Sequence, residues 1–101
     1  MPNSLYEAQA ELLQVLGHPV RIRVLEVLQG GPVPVRELLA ALGLEIELPE
    51  LSQHLAGLLG CGVVVVNRRG ATAVYEVVGG DVAELLAVAR RVSAVRLLGA
   101  W

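Results

Sequence analysis

Two short stretches of this 101-residue chain carry side chains suited to a hydrogen-bonding, anionic partner. Ser52-Gln53-His54 sets a hydroxyl, a carboxamide and an imidazole at consecutive positions. A carboxamide presents an acceptor beside a donor, the pair that matches an adenine edge, while hydroxyl and imidazole serve bases or phosphate. Arg68-Arg69 stands just before Gly70 and offers two permanently charged planar forks, the geometry phosphate oxygens favour. The plainer alternative makes the triplet a solvated helix face and the arginine pair a solvated turn. Local sequence leaves both open.

Other chemistries lack their parts. His18 directly precedes Pro19, a natural helix-start position, so capping is its first reading. Cys61 lies between glycines with no cation beside it in sequence, which suits a small apolar filler better than a reactive thiolate. The glycines of Gly57-Leu58-Leu59-Gly60-Cys61-Gly62 are in the wrong order for a dinucleotide loop and precede a strand instead of following one. No Ser/His/Asp or Cys/His arrangement has supporting context, so the chain does not read as an enzyme. No resident cofactor is expected. A minor alternative stays open: a non-thiolate metal effector held by His18 with Glu7 or Glu11 across a subunit seam.

Composition bounds these readings. The length fits a single domain over 1–101, and 54% hydrophobic residues argue against disorder. One cysteine excludes an intramolecular disulfide framework and fits a reducing cytoplasm. The amino terminus lacks a basic segment followed by an apolar one, so it does not read as a signal peptide. The uncharged stretch from Leu51 to Asn67 is broken by Ser52, Gln53, His54 and glycines, short of the roughly 20 apolar residues of a membrane span. Ten acidic groups face eight basic ones, all arginine, for a net charge of −2. On its face that balance opposes attraction to nucleic acid.

The elements that must position the two polar clusters follow from periodicity and punctuation. Leu5, Leu12, Leu13 and Leu16 share one face of a helix over about 4–16, with Ser4 and Glu7 as a capping box and Gly17 as its end. Pro19 opens a second helix to about Gln29, and Gly30-Gly31-Pro32 breaks it. Val35–Leu42 reads as a third helix stopped by Gly43. Pro49 starts a fourth, carrying Leu51, Leu55, Leu58 and Leu59. Val63–Val66 and Thr72–Val78 flank the turn Asn67–Gly70 as a β-hairpin. Asp81 caps a last helix over 81–98 bearing Val82, Leu85, Leu86, Ala89, Val92 and Val95. The fold class is therefore mainly α with a β-hairpin wing, a winged helix-turn-helix in the order α-α-α-α-β-β-α.

Three segments in that frame resemble the ArsR/SmtB family of bacterial winged-helix repressors. They are Leu16-Gly17-His18-Pro19-Val20-Arg21-Ile22-Arg23-Val24-Leu25, the recognition-helix stretch Leu51-Ser52-Gln53-His54-Leu55-Ala56-Gly57-Leu58, and the wing from Gly62-Val63-Val64 through Arg68-Arg69-Gly70 to Val74-Tyr75-Glu76-Val77. Together with the flanking helices they cover nearly the whole chain in the expected order. The resemblance implies a cytoplasmic homodimer that binds double-stranded operator DNA, represses transcription and lets go on a chemical signal. It also implies DNA contacts from Ser52, Gln53, His54, Arg68 and Arg69, and a dimer interface from the helices 4–16 and 81–98.

Two features depart from the family pattern. No Cys-x-Cys pair occurs in Val33-Pro34-Val35-Arg36-Glu37, and the final helix has Asp81 and Glu84 but no histidine, so neither metal layout of the family survives. The turn before Leu51 is also longer, six residues from Glu45 to Glu50, with three carboxylates where phosphate would approach. Like charge there weakens binding. A rival expectation follows: an interaction module or co-regulator with weak DNA binding that needs an accessory protein.

Overall fold

The computed structural model describes residues 4–43 and 45–99. Residues 1–3, Leu44, Ala100 and Trp101 lie outside them. The chain runs α1 (Leu5–Leu16), α2 (Pro19–Leu28), β1 (Val33–Pro34), α3 (Val35–Leu42), α4 (Leu48–Gly60), β2 (Val64–Arg69), β3 (Thr72–Val77) and α5 (Asp81–Leu98). This is the expected winged helix-turn-helix with one addition. The two-residue β1 joins the hairpin to give an antiparallel sheet of order β1-β3-β2, with Val33 opposite Tyr75 and Pro34 opposite Val74. Two residues carry no periodicity, and Pro34 lacks a donor, which an edge strand tolerates.

Helix ends follow local chemistry. The Ser4 hydroxyl accepts from the Glu7 N–H at 3.1 Å, and Nδ1 of His18 accepts from the Val20 N–H at 3.1 Å. Each satisfies an orphan donor of a first turn. Helix α3 stops at Gly43, whose φ of +60° is the left-handed backbone that only glycine adopts freely. The Arg23 guanidinium donates to the Leu42 carbonyl at 2.7 Å, placing a cation from α2 on the negative end of α3. Three boundaries differ from expectation. Helix α4 starts at Leu48, one residue before Pro49. Asp81 lies inside α5, with Gly80 at the cap and no side-chain cap bond. The hairpin turn is tighter too: Asn67, Arg68 and Arg69 continue β2, and Arg69 pairs with Thr72 around Gly70 at φ +66°.

The core is almost wholly aliphatic. Val24, Leu25 and Leu28 of α2 meet Leu38 and Leu42 of α3, Leu51, Leu55 and Leu58 of α4, and Val64 of β2. The terminal helices contribute little to it. Of α1 only Leu16 is fully buried, and α5 buries no residue completely, packing through Val82 and Leu86. A radius of gyration of 14.6 Å exceeds the roughly 13 Å of a compact 100-residue domain. No helix among the described residues is long and apolar enough to cross a membrane.

Leu25 is fully enclosed, so Leu25→Ala removes packing that neighbours cannot restore. Chemical denaturation at fixed protein concentration should show a loss of about 2–5 kcal/mol. A loss below about 0.5 kcal/mol would contradict this placement of the core.

Candidate nucleic-acid interface

Helix α4 sorts the expected contact residues by its own periodicity. Leu51, His54, Leu55 and Leu58 occupy its buried face, at spacings of three and four. Ser52, Gln53 and Ala56 form the solvent-facing stripe. Ser52 and Gln53 are therefore presented together near the start of the helix, free to meet a partner.

His54 is turned inward, only 9% exposed. Its Nδ1 accepts from Nε of Arg21 at 3.2 Å, its Nε2 stands 3.7 Å from a Glu50 carboxylate oxygen, and its ring centroid lies 4.3 Å from that of His18. Burial first, and then electrostatic interaction with His18 and Arg21, push the ring below its ordinary value of 6.5; Glu50 opposes them. The ring acts by holding α4 to α2. The stripe Leu51, Leu55, Leu58 already carried that signal, because position 54 falls three residues after Leu51 and four before Leu58.

Arg21 completes the junction. Besides donating to His54, its Nη1 donates to the Val15 carbonyl at the end of α1, 3.1 Å away. Its guanidinium lies flat against Gly57 of α4, where a Cβ would come within 2.9 Å of the guanidinium carbon. Glycine inside a helix costs about 0.5–1 kcal/mol relative to alanine, and the close approach of Arg21 supplies its reason.

The wing presents Arg68 and Arg69 at the exposed end of β2. Successive strand residues point to opposite faces, so the pair offers one cation to each side of the wing. Neither has an ion-pair partner among the described residues, whereas Arg90 is paired with Glu26 at 3.1 Å. Exposed Arg36, in the first turn of α3, is a further cation that the sequence reading did not single out.

A sequence model of the helix-turn-helix domain family matches residues 16–67. The HTH-type transcriptional regulator Rv0081 of Mycobacterium tuberculosis is 44% identical over 90 residues, 89% of this chain and 78% of that protein. Its crystal structure superposes with a TM-score of 0.79 over 97% of this chain and 96% of that one. The HTH-type transcriptional repressor SmtB of the same species is 34% identical over 85 residues, 84% of this chain and 62% of the relative. The chain belongs to the ArsR/SmtB family of winged helix-turn-helix transcriptional regulators. The homodimeric winged helix-turn-helix DNA-binding domain Mb0332 of Mycobacterium bovis, 27% identical, also superposes with a TM-score of 0.78 over 96% of this chain and 94% of that one.

Within an ArsR/SmtB frame, α3 and α4 are the helix-turn-helix pair, with α4 as its second helix. The long acidic turn leads directly into it. Glu45, Glu47 and Glu50 are exposed, and Ile46 anchors the turn in the core. Glu50 leans back toward His54, which leaves Glu45 and Glu47 as the outward carboxylates. Among the described residues, no three His, Cys, Asp or Glu side chains are grouped to hold a metal ion. His18 uses Nδ1 for its cap and rests its ring on that of His54.

The burial pattern separates two neighbours sharply. His54→Ala leaves the Arg21 donor unpaired and should cost about 1–3 kcal/mol, while Ser52→Ala should stay within about 0.5 kcal/mol. The depressed His54 value also sets a pH window. Well above 6.5 the ring is neutral folded and unfolded, and its contribution is complete; as the pH falls through 6.5 the unfolded chain takes the proton first and stability falls. Melting temperatures at pH 7.5 and 5.5 should drop more for wild type than for His54→Asn. Equal drops would contradict the assignment.

Proposed function

We propose that the protein is a cytoplasmic homodimeric repressor, without enzymatic activity or a resident cofactor, that binds a palindromic operator and is released by a chemical signal. The observation that carries this reading is the outward presentation of Ser52 and Gln53 on α4, together with the unpaired, exposed wing arginines, in a chain of this family. Gln53 supplies a bidentate match to adenine in the major groove, and Ser52 a base or phosphate contact. Arg68 and Arg69 supply phosphate or minor-groove contacts beside it. His54 contributes from behind, through the position of α4.

Dimerisation has its own support. Leu85, Val88, Val92 and Val95 are exposed on α5 at spacings of three, four and three, the seam pattern of paired helices. Leu5, Tyr6 and Leu13 of α1 are exposed as well. So large an uncovered apolar surface marks a protein interface, and we assign it to a second copy through α1 and α5. A two-fold dimer then sets two α4 helices on half-sites about one helical turn apart. Exposed Glu45 and Glu47 before α4 favour a second reading, in which operator affinity is weak until an accessory protein joins.

Fluorescence anisotropy on DNA from upstream of the protein's own gene tests both. Gln53→Ala should reduce discrimination at one base pair by about 1–3 kcal/mol. Arg68→Ala should lower the salt slope by about one. Leu85→Asp with Val92→Asp should shift sedimentation to the monomer and abolish tight binding. Unchanged sequence-specific binding in Ser52→Ala/Gln53→Ala would contradict the first reading, and tight partner-free binding by wild type at physiological salt would contradict the second.

A further inference from the structure

The Arg21 junction has more parts than packing requires, and they converge on the helix assigned to DNA. A guanidinium from α2 bonds the last turn of α1 and a side chain of α4, and lies on a helix surface cleared by Gly57. The α4 acceptor is a ring nitrogen. It exists only while Nδ1 of His54 carries no proton, with the ring proton on Nε2 toward Glu50. A second proton turns Nδ1 into a donor facing a cation, so the bond is lost and repulsion replaces it.

We propose that Arg21 is a positioning residue for operator binding, fixing α4 through the Nδ1 acceptor of His54, and that acid releases this hold and weakens DNA binding. The inference rests on the reading of α4 as the DNA-contacting helix. The charged and titratable groups around the ring set its direction. Arg21 and His18 face it from the start of α2, and Glu50 faces it from α4 itself. Helix α1 contributes the Val15 carbonyl, which Arg21 occupies. His18 is held in place because its own Nδ1 caps α2. Burial, with the neighbouring His18 ring and Arg21 guanidinium, already disfavours the charged ring, so the switch operates on the acid side of neutrality. Leu51, Leu55 and Leu58 remain in the core when Arg21 lets go, so α4 loosens while the fold persists.

The test is operator affinity by anisotropy from pH 7.5 to 5.5 at constant ionic strength, using the full chain. Wild type should lose about tenfold, the scale of one hydrogen bond to a charged group. His54→Asn places a carboxamide oxygen near the Nδ1 position and does not titrate; it should bind as wild type at pH 7.5 with a flat profile. His18→Asn retains a cap without a titrating ring and should keep the acid loss. Gly57→Ala should push the guanidinium away, weakening binding at pH 7.5 and flattening the profile although alanine favours the helix. An acid loss that survives in His54→Asn or vanishes in His18→Asn overturns the proposal, as does wild-type behaviour of Gly57→Ala. A DNA-free measurement separates this from the reading beneath it. In NMR titrations of wild type, amide protection along α4 should fall as the His54 ring takes its second proton. Constant protection overturns the proposal. Absence of DNA binding at every pH, with that coupled loss observed, instead overturns the DNA reading of α4.

Discussion

One guanidinium sets the relation between α4 and the rest of the molecule. The aliphatic core accepts Leu51, Leu55 and Leu58 through contacts that are strong but without direction. Such contacts bury α4 without fixing its rotation or its height along α2. The directional restraint comes from Arg21, with Nε on His54 and Nη1 on the Val15 carbonyl. Gly57 makes the approach sterically possible, since any side chain there would occupy the space of the guanidinium. Arg23 performs a smaller version of the same work two residues on, where it bonds the end of α3. Helix α2 thus holds both members of the helix-turn-helix pair with arginines.

This use of arginine reshapes the question raised by a net charge of −2. Arg21 and Arg23 are committed internally, and Arg90 is paired with Glu26. Arg36 of α3 and the wing residues Arg68 and Arg69 are exposed cations still available to an anionic partner. Phosphate contact must then come from a few placed forks, a situation that favours bidentate geometry over a diffuse positive field. Exposed Glu45 and Glu47, in the turn leading into α4, work against it. The apolar surface is equally uneven: the core is sealed, while α5 carries Leu85, Val88, Val92 and Val95 outward.

The parts of this arrangement legible in the sequence were those with long periodicity or strong punctuation. Five helices, the hairpin, the Ser4 and His18 caps and the stop at Gly43 all follow from apolar spacing and cap chemistry. The short strand β1 did not, because two residues hold no period. Arg68 and Arg69 read as turn residues because Asn and Gly bracket them, yet cross-strand pairing extends to Arg69 and leaves the turn to Gly70 and Ala71. His54 was the instructive residue. Its polarity suggested solvent, whereas its position in the Leu51–Leu58 stripe dictated burial, and a partner 33 residues earlier made that burial tolerable. Arg21 and Gly57 could not be paired from sequence alone, since neither announces the other without the packing of α2 on α4.

A double-mutant cycle on operator affinity at pH 7.5, with Arg21→Met, His54→Leu and the combined variant, measures the central restraint directly. If the Arg21–His54 bond positions α4, each single change leaves a partner unsatisfied and the combined loss falls short of the sum by about 1 kcal/mol or more. Losses that add to within about 0.3–0.5 kcal/mol would show the two side chains acting independently, and would contradict the account.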